Sequence, residues 1–202
     1  MVKKLLNLGL IQPYVDEDNQ KNQIHLEALI QEALEAEPRP EIICLPERWF
    51  YVDPLNRPFE ESIQPERGPQ YQLVQSWAQK YHISIISGGI WEWRQGFDRP
   101  FITSYYFNKK GEEQFRQDKI QLYLLEKKGF NSGTELKCFY DKELDVKFAV
   151  LICFDLNISS SLPKLAVANG CEIIFSPTLI REEGLENWGI YIKARALECR
   201  AP

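Results

Sequence analysis

Only two histidines occur among the 202 residues, and that scarcity removes the commonest helper of a nucleophilic side chain. His25 falls inside an amphipathic helical pattern. His82 opens an apolar run, at the end away from where a strand would deliver its chemistry. A cysteine–histidine pair is therefore not expected. Basic excess is missing too: 24 Lys and Arg against 29 Asp and Glu leave a net charge of −5. Without a basic cluster there is no electrostatic footprint for nucleic acid or an anionic membrane. No apolar run approaches the roughly 20 residues of a spanning helix. The opening residues turn polar too early for a signal peptide and read as the approach to a strand. The five cysteines (Cys44, Cys138, Cys153, Cys171 and Cys199) are odd in number and lack metal-ligand or redox spacing. That pattern suits a reducing, cytoplasmic setting, with all but Cys153 assigned to packing. Gly88-Gly89 lacks the spacing and the following helix of a phosphate-binding loop.

What is present is an ordinary globular composition, 44% hydrophobic and 26% charged, enough for one core and one domain over residues 1–202. Leu5 to Ile11 reads as a strand. Leu26, Leu29, Ile30, Ala33 and Leu34 then recur at helical spacing until Pro38 and Pro40 end the pattern. Glu41 to Leu45 makes a strand, and 46–69 a long aromatic and proline-rich loop that forms a site wall. A helix over Tyr71–Tyr81 and a strand over Ile83–Ile90 follow. Ser104–Phe107 and a partner ending near Lys119 are joined by the Asn108-Lys-Lys-Gly111 turn. Lys147 to Asp155 is one buried strand by its apolar content. Leu162–Asn169 is a helix, Glu172–Phe175 a strand and Trp188–Cys199 a further helix. Strands alternating with helices predict an α/β fold.

Three reactive groups sit at the carboxyl ends of predicted strands, where open α/β sheets place their crevices. Glu47 follows Ile42-Ile-Cys-Leu-Pro46, Lys119 follows the strand ending at Asp118, and Cys153 closes the Phe148-Ala-Val-Leu-Ile152 run. A free thiol with a pKa near 8.5 is mostly protonated at neutral pH and needs activation. With histidine unavailable, a carboxylate base and an ammonium group fill that need, and a depressed Cys153 pKa is the expectation. Each residue also has a plain reading: a packed thiol, a solvated loop carboxylate, and an edge-strand charge that discourages aggregation.

Leu45-Pro-Glu47, Asp118-Lys-Ile-Gln-Leu122 and Ile152-Cys-Phe-Asp155, in that order, resemble the three signatures of the nitrilase, or carbon–nitrogen hydrolase, superfamily. Further likeness lies in Glu126-Lys-Lys-Gly-Phe-Asn-Ser-Gly133, in Asn169 to Thr178, and in Trp188 with Arg195-Ala-Leu-Glu198. The resemblance implies a four-layer αββα sandwich and hydrolysis of a non-peptide C–N bond in a small polar amide or N-carbamoyl compound, with nitriles ranked lower. It implies Cys153 as nucleophile and Glu47 as base. Lys119 and the Phe154 N–H stabilise the developing charge, and Glu126 orients Lys119 or substrate. Water completes the cycle, no metal or cofactor takes part, and a homodimer or larger homo-oligomer forms.

Two segments depart from the family pattern. Leu156-Asn-Ile-Ser-Ser-Ser161 replaces an aromatic, a proline or serine and an acid. Gln121-Leu-Tyr-Leu-Leu125 lacks a histidine common after the lysine. Family members also continue past the last helix, so the sandwich is expected to be C-terminally incomplete. Two other classes stay open: a catalytically silent binding or assembly module, and an acyltransferase working through the same thioester.

Overall fold

The computed structural model describes residues 5–50, 62–156 and 161–200. The first half runs β1 (Leu8–Leu10), α1 (Asn19–Leu34), β2 (Ile42–Cys44), β3 (Gln64–Pro65), α2 (Pro69–Tyr81), β4 (Ser84–Ile86) and β5 (Ile90–Trp93). Then come β6 (Phe101–Phe107), β7 (Glu113–Asp118), α3 (Glu126–Gly129), β8 (Cys138–Asp141), β9 (Val146–Val150), α4 (Ser161–Ala168), β10 (Ile173–Phe175) and α5 (Leu185–Cys199). No helix among the described residues is long and apolar enough to cross a membrane.

Local chemistry sets the helix ends. The Asp18 side chain caps α1 by accepting the Gln20 N–H at 2.8 Å. Pro69 occupies the first turn of α2, where its missing N–H costs nothing. The same helix ends at His82, in left-handed backbone with φ 55°. His82 is thus a helix cap, and the strand it was expected to open begins two residues later.

The larger sheet holds β1 to β7, with β1, β2 and β4 parallel to one another and β4 antiparallel to β6. β4 and β5 share one edge of β6 end to end, and β7 takes the other edge. The Ile83–Ile90 run predicted as one strand is therefore two, interrupted at Ser87-Gly88-Gly89. Gly88 has φ 72°, and a Cβ there would fall 2.0 Å from the Pro46 carbonyl oxygen. Only glycine lets the strand step around the chain that carries Glu47.

The smaller sheet has the order β10-β9-β8, with β9 and β10 parallel. Its β8 escaped the sequence reading, because four residues among charges carry no periodic signal. The expected Lys147–Asp155 strand is regular only to Val150; Cys153–Asp155 coil into a single 3₁₀ turn. The two sheets meet through aromatic rings, Tyr106 on Phe148 at 5.1 Å and Phe115 on Phe148 at 6.2 Å between centroids. Outside the larger sheet lie α1 and α2, burying Leu26, Ile30, Val74 and Trp77. Outside the smaller one lie α4 and α5, with Ala166 against Ala149 and Trp188 against Leu151 and Leu156. Each fully buried aliphatic side chain contributes about 1.5–3 kcal/mol. Helix, sheet, sheet, helix is the αββα layering expected from the sequence.

Candidate active site

β2 delivers Glu47. The Leu45 N–H donates to the Ile86 carbonyl at 3.0 Å, extending the pairing one residue beyond β2. Pro46, having no N–H, ends it, and Glu47 turns inward to 4% exposure. Gly89 makes this possible, since a Cβ there would lie 3.0 Å from Glu47 Cγ.

β7 delivers Lys119. Its N–H donates to the Ile102 carbonyl at 2.8 Å and its own carbonyl accepts from the Gly133 N–H at 2.7 Å, so the backbone is clamped from both sides. Its side chain is fully buried, and the ammonium donates to Glu47 Oε1 at 2.8 Å and Glu126 Oε1 at 2.9 Å. The second glutamate, on α3, is fixed in turn by the Tyr123 N–H donating to its Oε2 at 2.7 Å. Beneath the lysine, Arg94 binds Glu92 Oε1 at 2.9 Å and Asp118 Oδ2 at 2.8 Å, holding the end of β7 in place.

Beyond β9, Cys153 sits in left-handed backbone with φ 48°, a strain found where a side chain must project into a site. Its N–H donates to the Pro177 carbonyl at 2.8 Å, its thiol points to the Leu179 carbonyl at 4.0 Å, and the Glu47 carboxylate is near enough to act on it electrostatically. Buried Asp155 joins the two halves. Its Oδ1 accepts from Ile120 at 3.0 Å and Gln121 at 2.6 Å, and its Oδ2 from Ile152 at 3.0 Å. The turn that holds the thiol is thereby tied to the segment that holds Lys119. The N–H groups of Ile152, Cys153, Asp155 and Leu156 all have partners; that of Phe154 has none among the described residues.

The electrostatics correct one expectation. Burial pushes the Cys153 thiol above its ordinary pKa; Glu47 adds to that push and Lys119 opposes it. The thiol therefore rests protonated, where the sequence predicted a depressed value. For Lys119, burial alone would favour the neutral amine, but Glu47, Cys153 and Glu126 more than offset it and raise its pKa. Burial raises Glu126, with Lys119 opposing. Burial likewise pushes Asp155 up to about 7 against its three N–H donors.

The structure thus brings Glu47, Lys119, Glu126 and Cys153 together, with Phe154 beside them. Trp49 and Phe50 are core residues, ring centroids 5.9 Å apart; Tyr51 lies outside the described residues. So do 51–61 of the expected wall loop and 157–160 of the divergent segment. Sequence reasoning missed the packing role of Gly89 and the presence of Arg48 beside the site. The latter was signalled only by a charge inside an apolar run. A separate cavity of about 650 Å³, lined by Arg39, His82, Lys109 and Asp141, lies at the amino ends of β2 and β4 and carries none of the four. Among the described residues no group of three or more His, Cys, Asp or Glu is placed to hold a metal ion.

Comparison with known proteins identifies the family and the fold. The family profile described as carbon-nitrogen hydrolase matches residues 8–202. A probable nitrilase of Schizosaccharomyces pombe is 23% identical over 185 residues, covering 90% of this chain and 66% of the relative. An omega-amidase of Saccharomyces cerevisiae is 24% identical over 192 residues with the same coverage. The chain thus spans about two thirds of the length of these curated relatives. A solved Saccharomyces cerevisiae member of branch 10 of the nitrilase superfamily superposes with TM-score 0.81 at 23% identity, covering 97% of this chain and 73% of that one. An amidase from Nesterenkonia sp. gives TM-score 0.80 at 21% identity with the same coverage. A mutant of that amidase carries the acetamide moiety of fluoroacetamide covalently added at its active site cysteine.

Proposed function

This chain belongs to the carbon–nitrogen hydrolase family, and we propose that it hydrolyses a small polar amide or N-carbamoyl compound through a thioester on Cys153. The observation that carries the reading is the buried Lys119 ammonium, which bonds both Glu47 and Glu126 beside a thiol whose proton Glu47 holds electrostatically. A packed structural cysteine has no need of a buried carboxylate, and a stabilising ion pair has no need of a thiol.

In the proposed cycle, the substrate carbonyl lies over Cys153 with its oxygen toward Lys119 and the Phe154 N–H. Because the thiol rests protonated, its proton passes to Glu47 as sulfur attacks the carbonyl carbon. Lys119 and the Phe154 N–H stabilise the oxyanion, commonly the largest single contribution. Glu47 returns the proton to the departing nitrogen, the C–N bond breaks, and ammonia or an amine leaves a thioester. Water, deprotonated by Glu47, then attacks the thioester; the acid leaves and the thiol regains its proton. Glu126 acts by positioning Lys119.

Amides rank above nitriles because the named relatives include an omega-amidase and an amidase. The experiment is ammonia release from a panel of aliphatic amides and N-carbamoyl compounds by wild type and Cys153→Ala. The reading requires release that Cys153→Ala abolishes; release by both, or by neither, rejects it. We also expect a homodimer, in keeping with Ile190 and Leu197 exposed one heptad apart on α5. A monomeric mass in sedimentation equilibrium at micromolar concentration would contradict that.

A further inference from the structure

Cys138 and Cys171 take no part in the proposed hydrolysis, yet they share one corner of the smaller sheet. Cys138 opens β8, where it pairs with Ala149 on β9. Cys171 precedes β10 and is fixed by its own N–H, which donates to the Ala166 carbonyl at 3.0 Å. Ala149, Ala166 and Cys171 form a small buried cluster, and Cys138 packs against it. β9 runs between the two strands, but Ala149 has no side chain beyond Cβ, so the thiols meet over it. They are near enough that Cys138 adds to the upward push that burial gives the Cys171 thiol.

Their exposure differs. Cys44, Cys153, Cys171 and Cys199 are buried, and of the five cysteines Cys138 alone is half-buried. A small oxidant in solvent therefore meets Cys138 first, with a second thiol directly behind it. That is the arrangement of an attacked and a resolving cysteine. Free cysteine is most often a packed residue, but packing alone requires neither that two thiols adjoin nor that one of them open to solvent.

The place in the fold gives the pair a consequence. Upstream of Cys138, the Lys137 N–H donates to Gln117 Oε1 at 2.9 Å and the Gly133 N–H to the Lys119 carbonyl at 2.7 Å. Downstream of Cys171, Phe175 and Pro177 accept the Leu151 and Cys153 N–H groups at 2.9 and 2.8 Å. A bridge here would tie the support of Lys119 to that of Cys153.

We propose that Cys138 and Cys171 are a redox modification site, which hydrogen peroxide converts to a disulfide that locks β8 to the start of β10. The Cys138 sulfur attacks one peroxide oxygen, the O–O bond breaks, and water leaves with the thiol proton, giving a sulfenic acid. The Cys171 sulfur then attacks that of Cys138. The S–S bond forms, the S–O bond breaks, and a second water carries off the Cys171 proton. Two thiols lose two electrons, and one peroxide is reduced to two waters. Burial keeps Cys171 protonated, which makes this second step the slower one. The proposal stands independently of the hydrolase reading.

The test treats the full chain with hydrogen peroxide, blocks the remaining thiols with N-ethylmaleimide and maps the unreduced peptides by mass. Wild type should yield a peptide linked through Cys138 and Cys171, and an intact mass before blocking about 2 Da below that of the reduced chain. Closing a loop of roughly 30 residues should raise Tm by roughly 5–10 °C. Dithiothreitol should reverse both changes. Cys171→Ala should lose the link and carry a dimedone adduct on Cys138, and Cys138→Ser should show neither. A wild type without the link overturns the proposal, as does oxidation of Cys153 ahead of Cys138. So does a link formed between two chains, or a linked chain that melts no higher than the reduced one. If Cys171→Ala does not fold, Cys138→Ser decides at its half-buried position: the same 2 Da loss and rise in Tm as wild type would refute the pair.

Discussion

Replacing Lys119 by methionine keeps the length of the side chain and removes its charge. The ammonium is fully buried and is bonded to two carboxylates at 2.8 and 2.9 Å, of which Glu47 is 4% exposed. Removing one partner of a buried ion pair costs about 3–5 kcal/mol, because the other charge stays without compensation. For a chain of this length each kcal/mol lowers Tm by roughly 2–4 °C, so Lys119→Met should melt roughly 10–15 °C below wild type at pH 8. The deficit should depend on pH. Without Lys119, Glu47 and Glu126 are neighbouring buried carboxyls, and at least one has its pKa raised above the unfolded value near 4.3. A raised carboxyl keeps its proton in the folded state where the unfolded chain has lost it. The variant's stability therefore falls as pH rises from about 4 and recovers on acidification. Thermal melts of both proteins followed by circular dichroism from pH 5 to 8 should show the gap narrowing toward pH 5. The double variant Lys119→Met with Glu47→Gln should regain part of the loss at pH 8. Equal melting temperatures at pH 8, or a gap that widens with acid, would refute the buried ion triad.

Asp155→Asn keeps one oxygen for the Ile120 and Gln121 N–H groups but turns an amide donor toward the Ile152 N–H. At pH 8 this should cost about 2–3 kcal/mol in urea denaturation, and a change below 0.5 kcal/mol would show that the carboxylate does not tie the two loops. With its thiol raised by burial and Glu47, Cys153 should react with iodoacetamide at a rate still climbing above pH 9. A plateau below pH 8, read by peptide mass mapping, would mean that Lys119 outweighs burial. Gly88→Ala places a methyl group 2.0 Å from the Pro46 carbonyl oxygen. It should lower Tm and ammonia release together, and a wild-type melt would disprove the close approach.

Elements with strong periodicity or long apolar runs were legible in the sequence. The helix carrying Leu26 and Ile30 and the strand run ending at Cys153 are of this kind, and so the three strand ends that converge could be named in advance. What stayed hidden was short or depended on tertiary fit. β8 has four residues, and its half-buried face leaves no pattern. The split between β4 and β5 exists because Gly88 and Gly89 must clear Pro46 and Glu47, a contact made by residues some forty positions away. The His82 cap shows backbone geometry overriding an apolar run downstream. The Cys153 pKa was misjudged because its sign depends on how far burial and Glu47 outweigh one lysine, and burial is not written in the local sequence. Arg48 went unread because only the Trp91 ring, supplied by a strand some forty residues away, places it at the site.

Acid-quenched intact-mass spectrometry with peptide mapping, during turnover of a primary amide, would bear most directly on the account. It predicts a species heavier than the free enzyme by the mass of the amide less ammonia. The increment should map to the peptide containing Cys153, be absent in Cys153→Ala, and disappear on treatment with hydroxylamine as a thioester should. Ammonia release with no adduct on Cys153 in wild type, or with turnover retained in Cys153→Ala, would contradict it.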